Sequence, residues 1–392
     1  MTICFVAEKG YLAYGAAIRD EMERERPGFL SIFLLETPKS YEGWIPPQAD
    51  LYLLPASLFL DLAPEARPAP LFAYGGEELI LESMPNTVPP IASAASIAAY
   101  RLAILAALEP GGPAGAPASF EPLMTFKLLP GMSRDRVFEC AEAGAVAGKY
   151  YPAGATTNSS DGLADPSQAS EALAAMEEAG LVLCIHGEDP AAPVLAREEA
   201  FLPTVERIYA RYARLRIVLE HISTRASLDF VRGIDRGGAA PARLSATVTA
   251  HHLLCTLDDL MGDGFRPGLY CKPPLRSAAD RDALREAVLG GDKRLFFGSD
   301  SAPHPAAAKM SAKVPAGVYS SPVALPALVQ LFDEAGRLDA LSGFLAERGA
   351  AFYGLPAPRG EVELVEEDWK VPEEMDGALA FLGGTTLRWR LQ

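Results

Sequence analysis

Residues 181–188 read Leu-Val-Leu-Cys-Ile-His-Gly-Glu, a short apolar run that ends in residues able to bind a metal. The run has the length and the aliphatic composition of a strand that is buried on both faces. A helix pattern at residues 168–179 precedes it, and another at residues 204–214 follows it. Strand and helix patterns that alternate in this way predict a parallel sheet built from βαβ units.

The alternation continues along the chain from about residue 82. Further strands are predicted at residues 121–129, 145–151, 216–221, 243–249 and 294–298, and further helices at residues 134–143, 278–289 and 322–335. Repeats of this number in a row favour a closed (β/α)8 TIM-like barrel over an open sheet. We therefore expect an α/β fold whose barrel occupies residues 81–392.

Residues 1–80 have a different pattern and are predicted to form an atypical N-terminal α/β segment. Residues 2–7, 30–35 and 50–55 have strand patterns, and residues 11–24 have a helix pattern. If this segment replaces the barrel's own first strand, a substitute is needed, because an open sheet edge invites aggregation. Residues 50–55 and 70–74 are the two candidates for that strand.

Composition limits the classes of partner. The chain has 392 residues, of which 49% are hydrophobic, and a formal net charge of −16. This acidic balance argues against a nucleic-acid partner, because phosphate binding needs clustered Lys and Arg. No apolar run is long enough for a membrane span, and the first residues have no signal-peptide pattern. We therefore expect a soluble cytoplasmic protein without a nucleic-acid or membrane partner.

The cysteines give no sign of a metal or disulfide framework. There are five, at positions 4, 140, 184, 255 and 271, and no two of them form a C-x-x-C pair. Scattered cysteines in odd number argue against a disulfide framework and against a thiolate zinc site. Cys184 and Cys271 lie in apolar runs, where a free cysteine usually acts as a small core residue.

Polar residues cluster directly after the apolar runs, where the strands of a parallel barrel end. They are Asn86, Lys149, His186 with Glu188, His221, Thr249, and Asp300 with His304. Because the carboxyl ends of barrel strands carry the active site, we expect these side chains to meet. Imidazole nitrogens with carboxylate-type oxygens suit zinc. A lysine ammonium cannot bind a metal, whereas the carbamate that lysine forms with CO2 offers two anionic oxygens.

Four segments at these strand ends are longer motifs: KYYPAGATTNSS at residues 149–160, HGE at 186–188, EHIST at 220–224 and DSAPH at 300–304. In this order and spacing they resemble the dihydroorotase family of the amidohydrolase superfamily, in its single-function bacterial form. Residues 84–90, MPNTVPP, resemble the family's second strand. The resemblance covers residues 84–392.

The resemblance implies a metal-dependent enzyme of pyrimidine biosynthesis that interconverts N-carbamoyl-L-aspartate and L-dihydroorotate. It implies one or two zinc ions held by an N6-carboxylated Lys149, by His186 and His221 at the β metal, and by Asp300 at the α metal. Asp300 would also be the general base. The residues that would contact the substrate are Asn86, Thr156, Thr157, Leu253 and His304. Members of the family are commonly homodimers, and the resemblance extends this expectation to the present chain.

One part of the family pattern is missing. The family's first strand carries His-x-His followed closely by Arg, but none of the five histidines of this chain precedes His186. Of the family's metal ligands, this chain retains Lys149 and Asp300 for the α metal. For the β metal it retains Lys149, His186 and His221. Three interpretations stay open: a dihydroorotase with an altered N-terminus, a non-catalytic relative kept for binding or assembly, and a hydrolase of another cyclic amide.

Overall fold

The computed structural model describes residues 2–7, 31–36, 51–53, 79–107, 120–234, 242–356 and 362–391. The chain divides into two compact units, residues 1–68 and 69–392. This division precedes the predicted boundary between residues 80 and 81. In the described ranges no helix is both long enough and apolar enough to cross a membrane.

The first unit contains a parallel sheet of three described strands, β1 (Thr2–Ala7), β2 (Ser31–Glu36) and β3 (Leu51–Leu53), in the order β2-β1-β3. These strands agree with the three strand patterns of the sequence. Strand β3 pairs with β1 within this sheet, with Leu51 opposite Ile3. The predicted helix at residues 11–24 and the candidate strand at residues 70–74 lie outside the described residues.

The second unit is built on a parallel sheet of seven described strands, which follow one another in chain order. The strands are β4 (Leu79–Ser83), β5 (Phe120–Lys127), β6 (Ala145–Tyr150), β7 (Val182–His186), β8 (Arg216–Glu220), β9 (Leu244–Val248) and β10 (Leu295–Phe297). Strands β7 and β9 are buried along their whole length, as expected for parallel strands covered on both faces. Parallel strands in chain order have the topology of a barrel rather than of a doubly wound sheet.

Helices connect these strands and also follow the last of them. In chain order they are α1 (Ala94–Ala107), α2 (Arg134–Glu142), α3 (Ser170–Ala179), α4 (Arg197–Arg211), α5 (Arg225–Gly233), α6 (Ala250–Leu254), α7 (Leu257–Met261), α8 (Ala278–Leu289), α9 (Ala306–Lys309), α10 (Ser321–Glu334) and α11 (Arg348–Tyr353). Near the C-terminus, β11 (Leu364–Lys370) pairs with β14 (Thr386–Leu391), and β12 (Glu374–Met375) pairs with β13 (Ala378–Leu379), both antiparallel.

Helix α4 corrects one sequence prediction. The pattern predicts a helix that begins at Thr204, directly after Pro203, whereas the helix begins at Arg197 and contains Pro203. Proline inside a helix leaves one backbone carbonyl without its N–H partner. Pro203 lies on the exposed face of α4, so water can satisfy that carbonyl.

The two faces of the strands have different neighbours. One face packs in a large hydrophobic core beneath the helices, and the other forms a smaller cluster of Ala147, Val182, Cys184, Val218 and Phe296. Because side chains alternate along a strand, the residues two positions further on point to the same side as this smaller cluster. On β6, β7 and β8 those residues are Lys149, His186 and Glu220. The sheet therefore presents polar groups together at the carboxyl ends of its strands.

Candidate metal centre

Three of the four predicted ligands lie on neighbouring strands. Lys149 is near the end of β6, His186 ends β7, and His221 directly follows β8. In the strand register Lys149 lies opposite Cys184, and His186 lies opposite Glu220. The fourth predicted ligand, Asp300, follows β10 at the same end of the sheet.

One ring nitrogen of His186 faces one ring nitrogen of His221. Nδ1 of His186 lies 3.2 Å from Nε2 of His221, and both side chains are buried. Two nitrogens bound to one tetrahedral zinc ion at about 2.0–2.1 Å would be about 3.3 Å apart. The observed spacing therefore fits a pair of imidazoles that share one ion.

Glu188 fixes the orientation of the His186 ring. Its Oε2 lies 2.9 Å from Nε2 of His186, and its side chain is buried. A carboxylate that accepts the Nε2 proton leaves Nδ1 as the nitrogen with a free lone pair, aimed toward His221. In the sequence Glu188 stands among the strand-end residues, and the motif alone assigns it no role. Its position two residues after a predicted ligand was the available signal.

His221 is held as a neutral imidazole. Its pKa lies well below 6.5, chiefly because it is buried, and because His186 and Lys149 lie nearby. Its backbone N–H donates to Oγ1 of Thr247 at 2.6 Å, and that hydroxyl donates to Oε2 of Glu220 at 2.7 Å. Neutral imidazole is the form that binds a metal. The positioning role of Thr247 has no signal in the sequence, because it depends on the register of two strands.

Lys149 is a buried cation with an unusual environment. Its side chain is 2% exposed, and its Nζ lies 5.5 Å from the centre of the Tyr151 ring. Within the described ranges no hydrogen bond or salt bridge reaches Nζ. Buried lysines are normally paired, since an unpaired buried charge is costly. A group bound at Nζ would therefore supply the partner that the described residues do not.

Asp300 and His221 share an uncommon backbone conformation. Their φ angles are 41° and 42°, in the left-handed region that non-glycine residues rarely adopt. Surrounding protein raises the pKa of Asp300, Glu220 raises it further and Lys149 opposes the rise. The side chain is also exposed to water, so the rise is smaller than full burial would cause.

Asp300 is separated from the histidine pair. A group of three His, Cys, Asp or Glu ligand atoms within 4.8 Å of one another occurs once in the described ranges, and it consists of His251, His252 and Cys271. His186, His221 and Asp300 do not form such a group. The pair and Asp300 therefore do not converge on a single ion position in this structure.

Two predicted substrate contacts, Asn86 and His304, follow strands β4 and β10 of the same sheet. One oxygen of Asn86, Oδ1, is buried without a partner in the described ranges, and its backbone oxygen accepts from Nδ2 of Asn158 at 3.1 Å. Nε2 of His304 donates to the carbonyl of Ala316 at 3.0 Å. Burial lowers the pKa of His304. Asn86 is therefore tied to the loop at residues 151–160, and His304 to the loop before α10.

The other predicted substrate contacts differ in accessibility. Thr156 and Thr157 are half-buried, and the backbone N–H of Thr156 donates to Oγ of Ser159 at 2.9 Å. Leu253 is fully buried; its N–H donates to the Thr249 carbonyl, and its own carbonyl accepts from Arg285. A ligand would therefore reach the Leu253 backbone through the second lone pair of its carbonyl.

Comparison with known proteins gives consistent results. A protein from Alkalilimnicola ehrlichii named dihydroorotase is 44% identical over 316 residues, 79% of this chain and 89% of that protein. The crystal structure of Saccharomyces cerevisiae dihydroorotase with 5-fluoroorotic acid has a TM-score of 0.73 at 33% identity and covers 80% of this chain and 89% of that one. A Campylobacter jejuni dihydroorotase structure has a TM-score of 0.68 at 32% identity, with 80% and 88% covered. No family model matches.

Proposed function

The chain belongs to the dihydroorotase family of cyclic amidohydrolases with a (β/α)8 barrel, and from that premise we propose that it interconverts N-carbamoyl-L-aspartate and L-dihydroorotate with one zinc ion. The observation that carries the proposal is the pair of facing nitrogens on His186 and His221, 3.2 Å apart. Glu188 orients one ring of the pair, and a buried Lys149 lies beside the other.

Lys149, His186 and His221 are proposed as the ligands. Lys149 is buried without an ion pair in the described ranges, and its amine would react with CO2 to form the carbamate. A carbamate oxygen with two imidazoles supplies three protein ligands, the number that catalytic zinc sites retain. When bound, zinc supplies Lewis acidity that polarises the substrate carbonyl and lowers the pKa of water.

Asp300 is proposed as the general base. In the hydrolytic direction its carboxylate accepts the proton of the attacking water and then delivers it to the ring nitrogen that leaves. A raised pKa supports this role, because a base works best when its pKa is near the working pH. Without histidines before His186 the second ion position keeps Lys149 and Asp300 alone from the expected set. We therefore favour a single zinc ion and an Asp300 carboxylate that binds no metal.

Asn86 and His304 are proposed to bind the substrate carboxylate, with Thr156, Thr157 and Leu253 around the rest of the ligand. The buried Oδ1 of Asn86 has no partner in the described ranges and could accept from an N–H of the substrate, whereas Nδ2 is the atom of this amide that can donate to the carboxylate. The arginine that follows His-x-His in the family is absent, and its contact would contribute about 1.5–3 kcal/mol. We therefore expect weak substrate affinity. A cytoplasmic location and a homodimeric assembly are proposed from the family.

The test is an assay of the full chain, purified with zinc and bicarbonate, that follows L-dihydroorotate by ultraviolet absorbance with zinc content measured on the same sample. We expect turnover and bound zinc in the wild type and in Lys293→Ala, which changes an exposed lysine. Lys149→Ala should lose turnover and the zinc ion of this centre. A short-chain carboxylic acid that fills the vacated space should restore zinc binding to Lys149→Ala.

Two other outcomes would replace the proposal. Bound zinc with turnover of another cyclic amide, but not of dihydroorotate, would identify a hydrolase of different specificity. If the folded protein holds no zinc at His186 and His221 and turns over neither substrate, the chain is a non-catalytic member of the family.

A further inference from the structure

His251 is buried without any hydrogen-bond partner in the described part of the chain. Its side chain is 0% exposed, and neither Nδ1 nor Nε2 has a partner. A buried polar group normally has at least one partner, which can be protein, water or an ion. The unpaired ring lies 4.6 Å from the His252 ring and 6.3 Å from the Phe381 ring, measured between ring centres. It therefore requires a partner that the described protein groups do not supply.

Two other metal-competent side chains lie next to it. His252 follows His251 in α6, and Cys271 belongs to the segment after Leu269. One ligand atom from each of the three residues lies within 4.8 Å of the other two, and all three side chains are buried. The scattered cysteines of the sequence predict no thiolate site. The structure nevertheless brings Cys271 to a histidine pair that lies 20 and 19 residues earlier in the chain.

The protonation of these groups suits a metal after the loss of one proton. Burial lowers the pKa of His251 far below 6.5 and that of His252 to about 4, so both rings are neutral near pH 7. Burial raises the pKa of the Cys271 thiol, so it is protonated. An ion lowers the pKa of a coordinating thiol enough to remove its proton. Two imidazoles with one thiolate form a donor set preferred by zinc and other borderline divalent ions.

We propose that His251, His252 and Cys271 form a second metal site, distinct from the centre at Lys149, His186 and His221, which binds a divalent ion such as zinc. The carbonyl of Pro273 supplies a fourth donor. It lies 3.1 Å from Nε2 of His252 and 3.2 Å from Sγ of Cys271, both of which now bond to it. Binding replaces those two hydrogen bonds with metal bonds.

Each proton that the ligands lose or move when the ion binds has a destination. Cys271 releases its thiol proton to solvent as its sulfur binds the ion. The proton on Nε2 of His252 moves to Nδ1, where Oγ1 of Thr249, at 2.8 Å, accepts it. His251 keeps one ring proton and binds through the other nitrogen. Ligands of a tetrahedral ion lie about 3.3–3.7 Å apart, so these three residues close by roughly 1 Å from a spacing of up to 4.8 Å.

The ion would join two segments that hold the candidate active site. Helix α6 begins directly after Thr249 and contains Leu253. The segment of Cys271 includes Lys272, whose Nζ donates to the Ala155 carbonyl at 2.9 Å, next to Thr156. A metal between α6 and this segment therefore has a structural role, because it fixes both relative to each other.

Cobalt spectroscopy of the full chain tests the proposal. The centre proposed at Lys149 contains no thiolate, so a thiolate-to-cobalt charge-transfer band in the near ultraviolet reports on Cys271 alone. We expect this band in the wild type when Co²⁺ is added under reducing conditions. Cys271→Ser should lose the band and one bound cobalt per chain. Cys255→Ser, a matched change at a buried cysteine of the same region, should retain both.

His251→Gln supplies a second test, because it removes a ligand without changing the thiol. It should weaken cobalt binding at this site at least tenfold. A wild-type protein that binds cobalt without the band, or a band that persists in Cys271→Ser, would overturn the proposal. If Cys271→Ser fails to fold, the wild-type spectrum and His251→Gln decide the question. The band does not depend on dihydroorotate turnover. The proposed activity and the proposed second metal site can therefore fail independently.

Discussion

Nδ1 of His186 and Nε2 of His221 lie 3.2 Å apart at the ends of two adjacent parallel strands. The short distance between these two nitrogens depends on two features. Glu188 holds the opposite nitrogen of the His186 ring, and His221 adopts a φ of 42°, which turns its side chain away from the regular alternation of β8. Strain of this kind is common where function requires a side chain in a fixed place.

Glu188→Gln should weaken zinc binding at the His186 site by about 10–100-fold, because the amide no longer fixes which nitrogen of His186 carries the proton. The measurement is competition against a chromophoric chelator in a Cys271→Ser background, which leaves one zinc site. Glu199→Gln changes an exposed carboxylate and should leave the affinity unchanged. An affinity within twofold of the parent would show that Glu188 does not orient the ligand.

Glu198→Ala should destabilise the fold by about 3–5 kcal/mol. The buried Glu198 carboxylate accepts from the backbone N–H groups of Ser223 and Thr224 and lies 3.8 Å from Nη2 of the buried Arg276. Its removal leaves a buried guanidinium without its counter-ion. Urea unfolding measures the change, and the exposed Glu199→Ala should change the free energy of unfolding by less than about 0.5 kcal/mol. Equal effects of the two substitutions would refute this account.

Gly317→Ala should raise KM for dihydroorotate by about tenfold while the protein stays folded, a change of about 1.4 kcal/mol. A Cβ at Gly317 would lie 2.6 Å from the Ala302 oxygen and 3.1 Å from Cδ2 of His304. The added methyl group therefore displaces His304, which is proposed to bind the substrate carboxylate. Gly336→Ala, where φ is also positive but nothing lies within 4 Å, is the matched control. Unchanged KM in Gly317→Ala would argue that His304 does not bind substrate.

Lys309 should make stability rise with pH above about 8. Burial lowers its pKa from 10.5 to about 8, although its Nζ donates to the carbonyls of Tyr270, Pro315 and Gly317. Between these two values the unfolded chain binds more protons than the folded chain, so the free energy of unfolding increases with pH. Lys309→Met should remove this rise. The check is urea unfolding of both proteins from pH 7.5 to 10, and parallel pH profiles would refute it.

Sequence periodicity located strands β5 to β10 of the second unit and its helices α2, α3, α4, α8 and α10. Helix α8 occupies the predicted residues 278–289, and strand β7 begins one residue after its predicted start. These elements are predictable because a fully buried parallel strand needs a continuous apolar run, which a sequence displays directly. The start of α4 was not predictable, because the tolerance of Pro203 depends on which helix face meets water.

The candidate site was predictable in part for a similar reason. The carboxyl ends of neighbouring parallel strands lie at one edge of a sheet, so polar residues after apolar runs must come near one another. This argument placed Lys149, His186, His221 and Asp300 at the same end. It could not show that the two histidines face each other while Asp300 stands apart.

The sequence by itself determined the alternating elements, the residue types at the strand ends, and the absence of a histidine before His186. Tertiary structure alone decided the nitrogen of His186 that faces His221, the buried contacts of Glu198, and the meeting of His251 with Cys271. The physical reason is that strand and helix patterns are local and repeat with the backbone. Convergence of side chains that are distant in the chain depends instead on strand register and on segment packing, which no local period encodes.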